Sequence, residues 1–326
     1  MLQLPKLSFS VLKKIKKSKN LLAFSAGSDS SALFFILKAL HVEFDIALLN
    51  YQTKKQSLEE QEYAKYLAKK FNKKCYIFTC KLKTSNFEHN AREVRYNFFE
   101  QIIEKHSYNT LLTAHHLNDK LEWFLMQLSR GAGAVELSGM SEIEDSEYYK
   151  TVRPLLHVDK KEILNFLHVN KIKYFLDSSN SDKKHFRNKI REEFASSFCK
   201  QFSSGIKKSF EYLEYDKKRL LPREISREKK LYILNRNEDD LLNIRGIDRV
   251  VKKLGVLLSK SSRDEIIKTK NCVVSSRVAI AFSFDKIYIC PAITITMDKK
   301  FKETCRVAKI PPKIRPYMYK EGISIL

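Results

Sequence analysis

Through its first half the chain alternates short apolar runs with longer amphipathic stretches. That rhythm limits the possible folds more than any other feature. Leu21–Ser25, Phe44–Asn50, Lys74–Cys80 and Thr110–Ala114 have the length and composition of strands. Asp29–Leu40, Ser57–Phe71, Asn86–His106 and Asn118–Arg130 carry helical spacing. Strands separated by helical patterns predict βαβ units around a parallel sheet, an α/β fold. Right-handed crossovers place ligands beyond the carboxyl ends of such strands. Ser25, Asn50 and His115 fall at those ends.

The first strand end is the most informative. Leu21-Leu22-Ala23-Phe24 runs into Ser25-Ala26-Gly27-Ser28-Asp29-Ser30, and Ala32–Leu37 follows as an amphipathic stretch. Small residues between a strand and a helix let backbone N–H groups approach a phosphate, and the helix dipole favours the anion. Asp29 stands where a metal-bridged triphosphate needs a carboxylate. No Gly-Lys-Ser/Thr follows, so this is not a Walker loop. A serine-rich helix cap is the plainer reading of the same residues. The segment resembles the pyrophosphate-binding loop, Ser-Gly-Gly-x-Asp-Ser, of ATP pyrophosphatases. Ala26 replaces the first glycine, which is harmless only where the backbone there avoids positive φ.

Further along, Ser141–Glu147 is acidic and aperiodic, as in a surface loop. Tyr149–Leu156 returns to strand character, and Asp159–Val169 reads as a helix with Asp159 favourably near its N-terminus. The pattern loosens around Phe198–Ser204, and Lys207–Lys230 is helical and strongly basic. From Leu231 onward short strands such as Val278–Phe284 and Lys286–Cys290 mark a separate α+β module. The expected organisation is a catalytic domain over 1–200, a basic helical connector over 201–230 and a small C-terminal domain over 231–326.

A net charge of +23 on 326 residues favours a polyanionic partner, nucleic acid first. The 43% hydrophobic content excludes a disordered chain. Cysteines 75, 80, 199, 272, 290 and 305 form no Cys-x-x-Cys pair, which argues against zinc, iron–sulfur and dithiol chemistry. Free thiols fit a cytoplasmic protein. Lys13, Lys14, Lys16 and Lys17 are not followed by a leader's apolar region, and no run is long enough for a bilayer, so no membrane partner is expected.

Four further groups of residues could carry chemistry. Asp119 and Glu122 share one helix face, fit to hold Mg²⁺ or a substrate ammonium or simply to be solvated. Arg130-Gly131-Ala132-Gly133 stops that helix and suggests a backbone held close to a ligand or another segment. Arg92 could neutralise charge on a transferring phosphate, or pair with Glu88 on its own helix. Arg187 and Arg191, four apart, suit phosphate or carboxylate recognition, with Asn188 between them.

Taken in order, the chain reads Ser-Ala-Gly-Ser-Asp-Ser, Ala-Arg-x-x-Arg-Tyr, Ala-His-His-x-x-Asp-x-x-Glu, Arg-Gly-x-Gly, Arg-Pro-Leu-Leu, Asp-x-Ser-Asn and Arg-Asn-x-Ile-Arg. This ordered set resembles the tRNA(Ile)-lysidine synthetase family over residues 20 to 195. The resemblance implies a PP-loop domain of the adenine-nucleotide α-hydrolase type, followed by tRNA-binding elements. It implies ATP-dependent ligation of L-lysine to C2 of the wobble cytidine of a CAU-anticodon tRNA(Ile), which then reads AUA as isoleucine. ATP and Mg²⁺ are the implied cofactors, and a homodimer is compatible with the residues. In the family's pattern, residues 25–30 match the phosphate cradle, with Asp29 the metal carboxylate. Arg92, Asp119 and Glu122 match catalytic positions. Arg130, Gly131, Arg187, Asn188 and Arg191 match substrate-binding ones. Tyr51 and Lys54 replace a usual His and Arg, Asn118 a common Asp, and Trp123 a common Thr. A two-thiocytidine-type tRNA thiolase is disfavoured by the missing Cys-x-x-Cys. A non-catalytic RNA-binding protein would need none of these carboxylates, and a small-molecule amidating synthetase would not need the basic C-terminal half.

Overall fold

Neighbouring residues of one buried strand serve two different cores. In the computed structural model, which describes residues 4–52, 56–81, 87–146, 148–176, 186–221 and 224–324, Leu21 packs with Phe99, Ile102 and Ile103. Leu22 belongs instead to the core of Phe34, Leu37 and Ile46. Successive side chains of a strand point to opposite faces, so a strand covered on both sides must be apolar throughout.

That strand, β1 (Asn20–Ala23), joins β2 (Phe44–Asn50), β3 (Cys75–Thr79), β4 (Thr110–Leu112), β5 (Ile143–Asp145) and β6 (Lys150–Val152) in one sheet. The order is β3-β2-β1-β4-β6-β5, and every pair is parallel except β5 with β6. Helices α2 (Ser28–Ala39), α3 (Gln56–Lys70) and α7 (Lys160–Val169) contribute to one core, and α4 (Phe87–His106) to the other. The strand order reverses between β1 and β4, so their carboxyl ends open the crevice where doubly wound sheets bind ligands. Helix α5 (Leu117–Leu128) starts at the β4 end, and α6 (Ala134–Ser138) follows it. This unit spans Met1–Glu214. Phe9–Lys16, capped by Ser8, forms α1.

The second unit, Tyr215–Leu326, is built on a five-stranded antiparallel sheet. Its strands are β7 (Glu224–Glu228), β8 (Leu231–Asn235), β9 (Asn271–Val274), β10 (Val278–Phe282) and β11 (Lys286–Pro291). Ile280 and Ile287 pack under α10 (Asp240–Lys253) and α11 (Lys260–Thr269). Ala281 and Tyr288 pack with α12 (Lys299–Val307) and α13 (Arg315–Glu321) on the other face.

Two expectations are corrected. The acidic stretch Ser141–Glu147 contains the edge strand β5, whose exposed charged residues suit an edge. The basic helix does not reach Lys230. After α8 (Phe186–Ile190) and a π-helical turn at Arg191–Ala195, α9 (Ser196–Leu220) ends two residues before Pro222, and Glu224–Glu228 is extended. The loosened pattern at Phe198–Ser204 is a kink inside α9, where Phe202 has φ −127° and ψ 24°. All six cysteines are free, and no helix among the described residues is long and apolar enough to cross a membrane.

Candidate active site

The loop after β1 turns directly into α2, with Gly27 as its N-cap. Ser30 braces the turn: its Oγ accepts from the Ser25 N–H at 3.2 Å, lies 3.1 Å from Ser25 Oγ and donates to the Gly27 carbonyl at 3.2 Å. The first-turn amides of α2 and its dipole would favour an anion at this loop. Ala26 is fully buried at φ 59°, so the condition for a harmless replacement is not met. Its carbonyl accepts from Phe175 N at 3.0 Å, and Gly27 forms an isolated parallel bridge with Phe175. Those contacts hold a Cβ-bearing residue in a region that disfavours it, at a cost of about 1–2 kcal/mol.

Asp29 lies on a connected path of polar and ionisable side chains. Lys160 Nζ donates to Asp29 Oδ1 and, at 2.8 Å, to Ser28 Oγ. His116 Nε2 lies 3.7 Å from Asp29 Oδ1 and 3.4 Å from Asp119 Oδ2. His116 caps α5, and its backbone N–H donates to Asp119 Oδ2 at 3.0 Å. Arg187 then spans both acids, donating to Asp119 Oδ1 and to Glu122 Oε2 at 2.7 Å each. Arg191 grips Glu122 from the other side at 2.6 and 3.0 Å.

The carboxylate that Arg187 and Arg191 recognise is therefore the protein's own Glu122. Glu122 is 1% exposed, and an unpaired charge there would be costly. Burial alone would raise the Asp119 carboxyl, but the His116 ring, the Arg187 guanidinium, the His115 ring and the His116 N–H hold it down to about 2. Burial pushes His115 down to about 4, only partly opposed by Asp119. Its Nδ1 lies 2.9 Å from Thr113 Oγ1.

Other expected residues are placed differently. Arg92 is exposed on α4, stacked on the Tyr96 ring at 4.7 Å. Among the described contacts it joins neither the loop nor the acid pair. Tyr51 steadies that helix, donating to the Ala91 carbonyl at 2.8 Å and accepting from Arg95 Nε at 3.3 Å. Asn188 is buried, whereas Arg130 and Gly131 are exposed at the end of α5. Gly131 has φ +73°, and an added Cβ would meet nothing within 4 Å. Its glycine answers to backbone conformation and not to the close approach expected of it. Close approach occurs at Gly139, where a Cβ would lie 2.5 Å from Trp123 Cδ1. Lys54, the Asp177–Asn180 motif and the Glu88 side chain lie outside the described residues.

Lys160 and His116 were not singled out from sequence. For His116 the signal was its place at a strand end before a helix. For Lys160 it was only the neighbouring Asp159, whose side chain accepts from Glu162 N at 2.8 Å and so fixes the start of α7.

A doubly wound sheet with this loop at its switch point defines a PP-loop ATP pyrophosphatase-type domain, and the PP-loop domain family model matches residues 5–197. Among curated proteins the chain is 45% identical to the tRNA(Ile)-lysidine synthase of Campylobacter jejuni strain RM1221, covering 97% of both chains. It is 40% identical to that of Wolinella succinogenes over 96% of both, and 40% to that of Helicobacter pylori strain 26695 over 96% and 93%. The protein belongs to the tRNA(Ile)-lysidine synthase family. Among solved structures, the U34-tRNA thiolase NcsA of Methanococcus maripaludis shares the fold, with a TM-score of 0.51 at 14% identity over 63% of this chain and 77% of its own.

Proposed function

We propose that this protein uses ATP to join L-lysine to C2 of the wobble cytidine of CAU-anticodon tRNA(Ile), giving lysidine, AMP and pyrophosphate. The observation that carries this reading is the unbroken path from Asp29 through His116 and Asp119 to Arg187, Glu122 and Arg191. That path links the loop's Asp29 to two acids and two arginines, which supports a phosphate loop and an amino-acid pocket working side by side. Likeness to enzymes of that name over nearly the whole chain supports the tRNA substrate.

Two displacements make up the reaction. The cytidine O2 attacks the α-phosphorus and the bond to pyrophosphate breaks. The lysine ε-amine then attacks C2, sheds a proton, and AMP leaves with the C2 oxygen. Residues 25–30 cradle the phosphates, and Arg92 would offset charge as phosphate transfers only by turning from the Tyr96 ring on which it is stacked. Asp119, the more exposed acid at 14%, takes the lysine ammonium, while Glu122 fixes Arg187 and Arg191 for its carboxylate. Asn188, Arg130 and Gly131 border the substrate.

Among the described residues no group of three His, Cys, Asp or Glu could hold a metal alone. The hard oxygens of Asp29 would suit Mg²⁺, and the ion would supply neutralisation of phosphate charge. The unit Met1–Glu214 serves as the catalytic domain and the unit Tyr215–Leu326 as a tRNA-binding domain. The action is cytoplasmic, where free ATP, lysine and tRNA meet.

The test is incorporation of labelled L-lysine with Mg²⁺ and ATP into CAU-anticodon tRNA(Ile), with elongator methionine tRNA as control. Alkali-stable lysine on the isoleucine tRNA alone, matched by AMP, is expected. AMP release without stable lysine would move the substrate elsewhere. Sedimentation of the same preparation distinguishes monomer from homodimer.

A further inference from the structure

We propose that Lys160 reads the β- and γ-phosphates of ATP and holds the departing pyrophosphate, so that it separates ATP and pyrophosphate from AMP at the loop. The proposal rests on the ATP-dependent reading above and adds a residue to it. The Lys160 ammonium donates to Ser28 Oγ at 2.8 Å and to Asp29 Oδ1, two successive loop side chains in the first turn of α2. An ammonium has three N–H donors, so one can turn to a phosphate oxygen without surrendering either contact.

Its placement is built rather than incidental. Lys160 is the first residue of α7, Asp159 is the N-cap, and Asn118 Oδ1 accepts from the Lys160 backbone N–H at 3.1 Å. The stem therefore starts from a fixed point between α5 and α7. The side chain is 31% exposed, within reach of a ligand.

Charge supplies the chemical reason. A carboxylate at the mouth of a phosphate loop repels the anion the loop must bind. Asp29 faces Lys160 on one side and His116 Nε2, 3.7 Å away, on the other. A permanent cation beside it restores attraction, and a point-like ammonium suits phosphate oxygens. A residue that served only as counter-ion to Asp29 would affect all nucleotides alike, whereas one that meets the β- and γ-phosphates would spare AMP.

The experiment is calorimetric titration of the full-length protein with magnesium pyrophosphate and, separately, with AMP. Lys160→Met is expected to weaken pyrophosphate about tenfold, the scale of one charge-assisted hydrogen bond, while AMP changes less than about twofold. Lys160→Arg is expected to recover most of the pyrophosphate affinity. Lys160→Gln keeps a donor to Asp29 without the charge and should show the same split, which guards against a Met variant that folds poorly. Unchanged pyrophosphate binding, or an equal loss for AMP, in folded Lys160→Met and Lys160→Gln would overturn the role. Wild-type protein that binds neither ligand would overturn the ATP reading itself.

Discussion

Arg191 holds Glu122 through contacts of 2.6 and 3.0 Å, and the carboxylate it holds is 1% exposed. With Arg187 on the same carboxylate, the two partly exposed arginines are anchored inward on a buried acid. Arg187→Ala with Arg191→Ala should therefore do more than weaken substrate use. It should lower unfolding free energy by about 3–5 kcal/mol, the cost of stranding a buried charge. Adding Glu122→Gln should recover part of that loss in urea titrations. Full stability in the double variant would show that Glu122 finds another partner.

Acid should act on the same cluster. The Asp119 carboxyl is held at about 2 against an ordinary 3.8, so the folded state gives up its proton more readily than the unfolded state. Its contribution, about 2 kcal/mol, is present above pH 4 and is lost as pH falls towards 2. His115, lowered to about 4 from 6.5, acts at higher pH. Between those values the unfolded state binds more protons, so stability falls as pH drops through this window. His115→Gln should flatten the upper window and Asp119→Asn the lower one in pH-dependent thermal melts.

Ala26→Gly should stabilise the protein. Relief of the φ 59° strain outweighs the added freedom of the unfolded chain, leaving about 0.5–1 kcal/mol and a measurable rise in melting temperature. A lower melting temperature would mean that the buried Ala26 methyl matters more than the backbone it strains.

Asp29→Ala should abolish AMP formation while leaving tRNA affinity nearly unchanged, because Lys and Arg contacts to phosphates dominate RNA binding. The same affinity should fall steeply with salt in both proteins. Filter binding and AMP release from one preparation decide the matter. Loss of tRNA binding would remove the metal role from Asp29.

Periodicity and strand ends were local facts, so the sequence by itself determined the alternating α/β unit, the loop at residues 25–30 and the α+β module that follows. Each depends on neighbours a few positions apart: apolar runs for strands, helical spacing for their covers, small residues for a tight turn. The same locality put Asp159 near a helix N-terminus, where the structure makes it the cap, and placed Asp119 and Glu122 on one helix face. Only the tertiary structure decided what those charges meet. Arg187 and Arg191 reach Glu122 across 65 and 69 residues, and Lys160 reaches Asp29 across 131. The positive φ at Ala26 was equally hidden, because the strand-like bridge to Phe175 and not the alanine imposes it. Side chains so distant become partners only when the sheet brings their carrier elements together, and burial then turns a solvated pair of charges into one that must be matched.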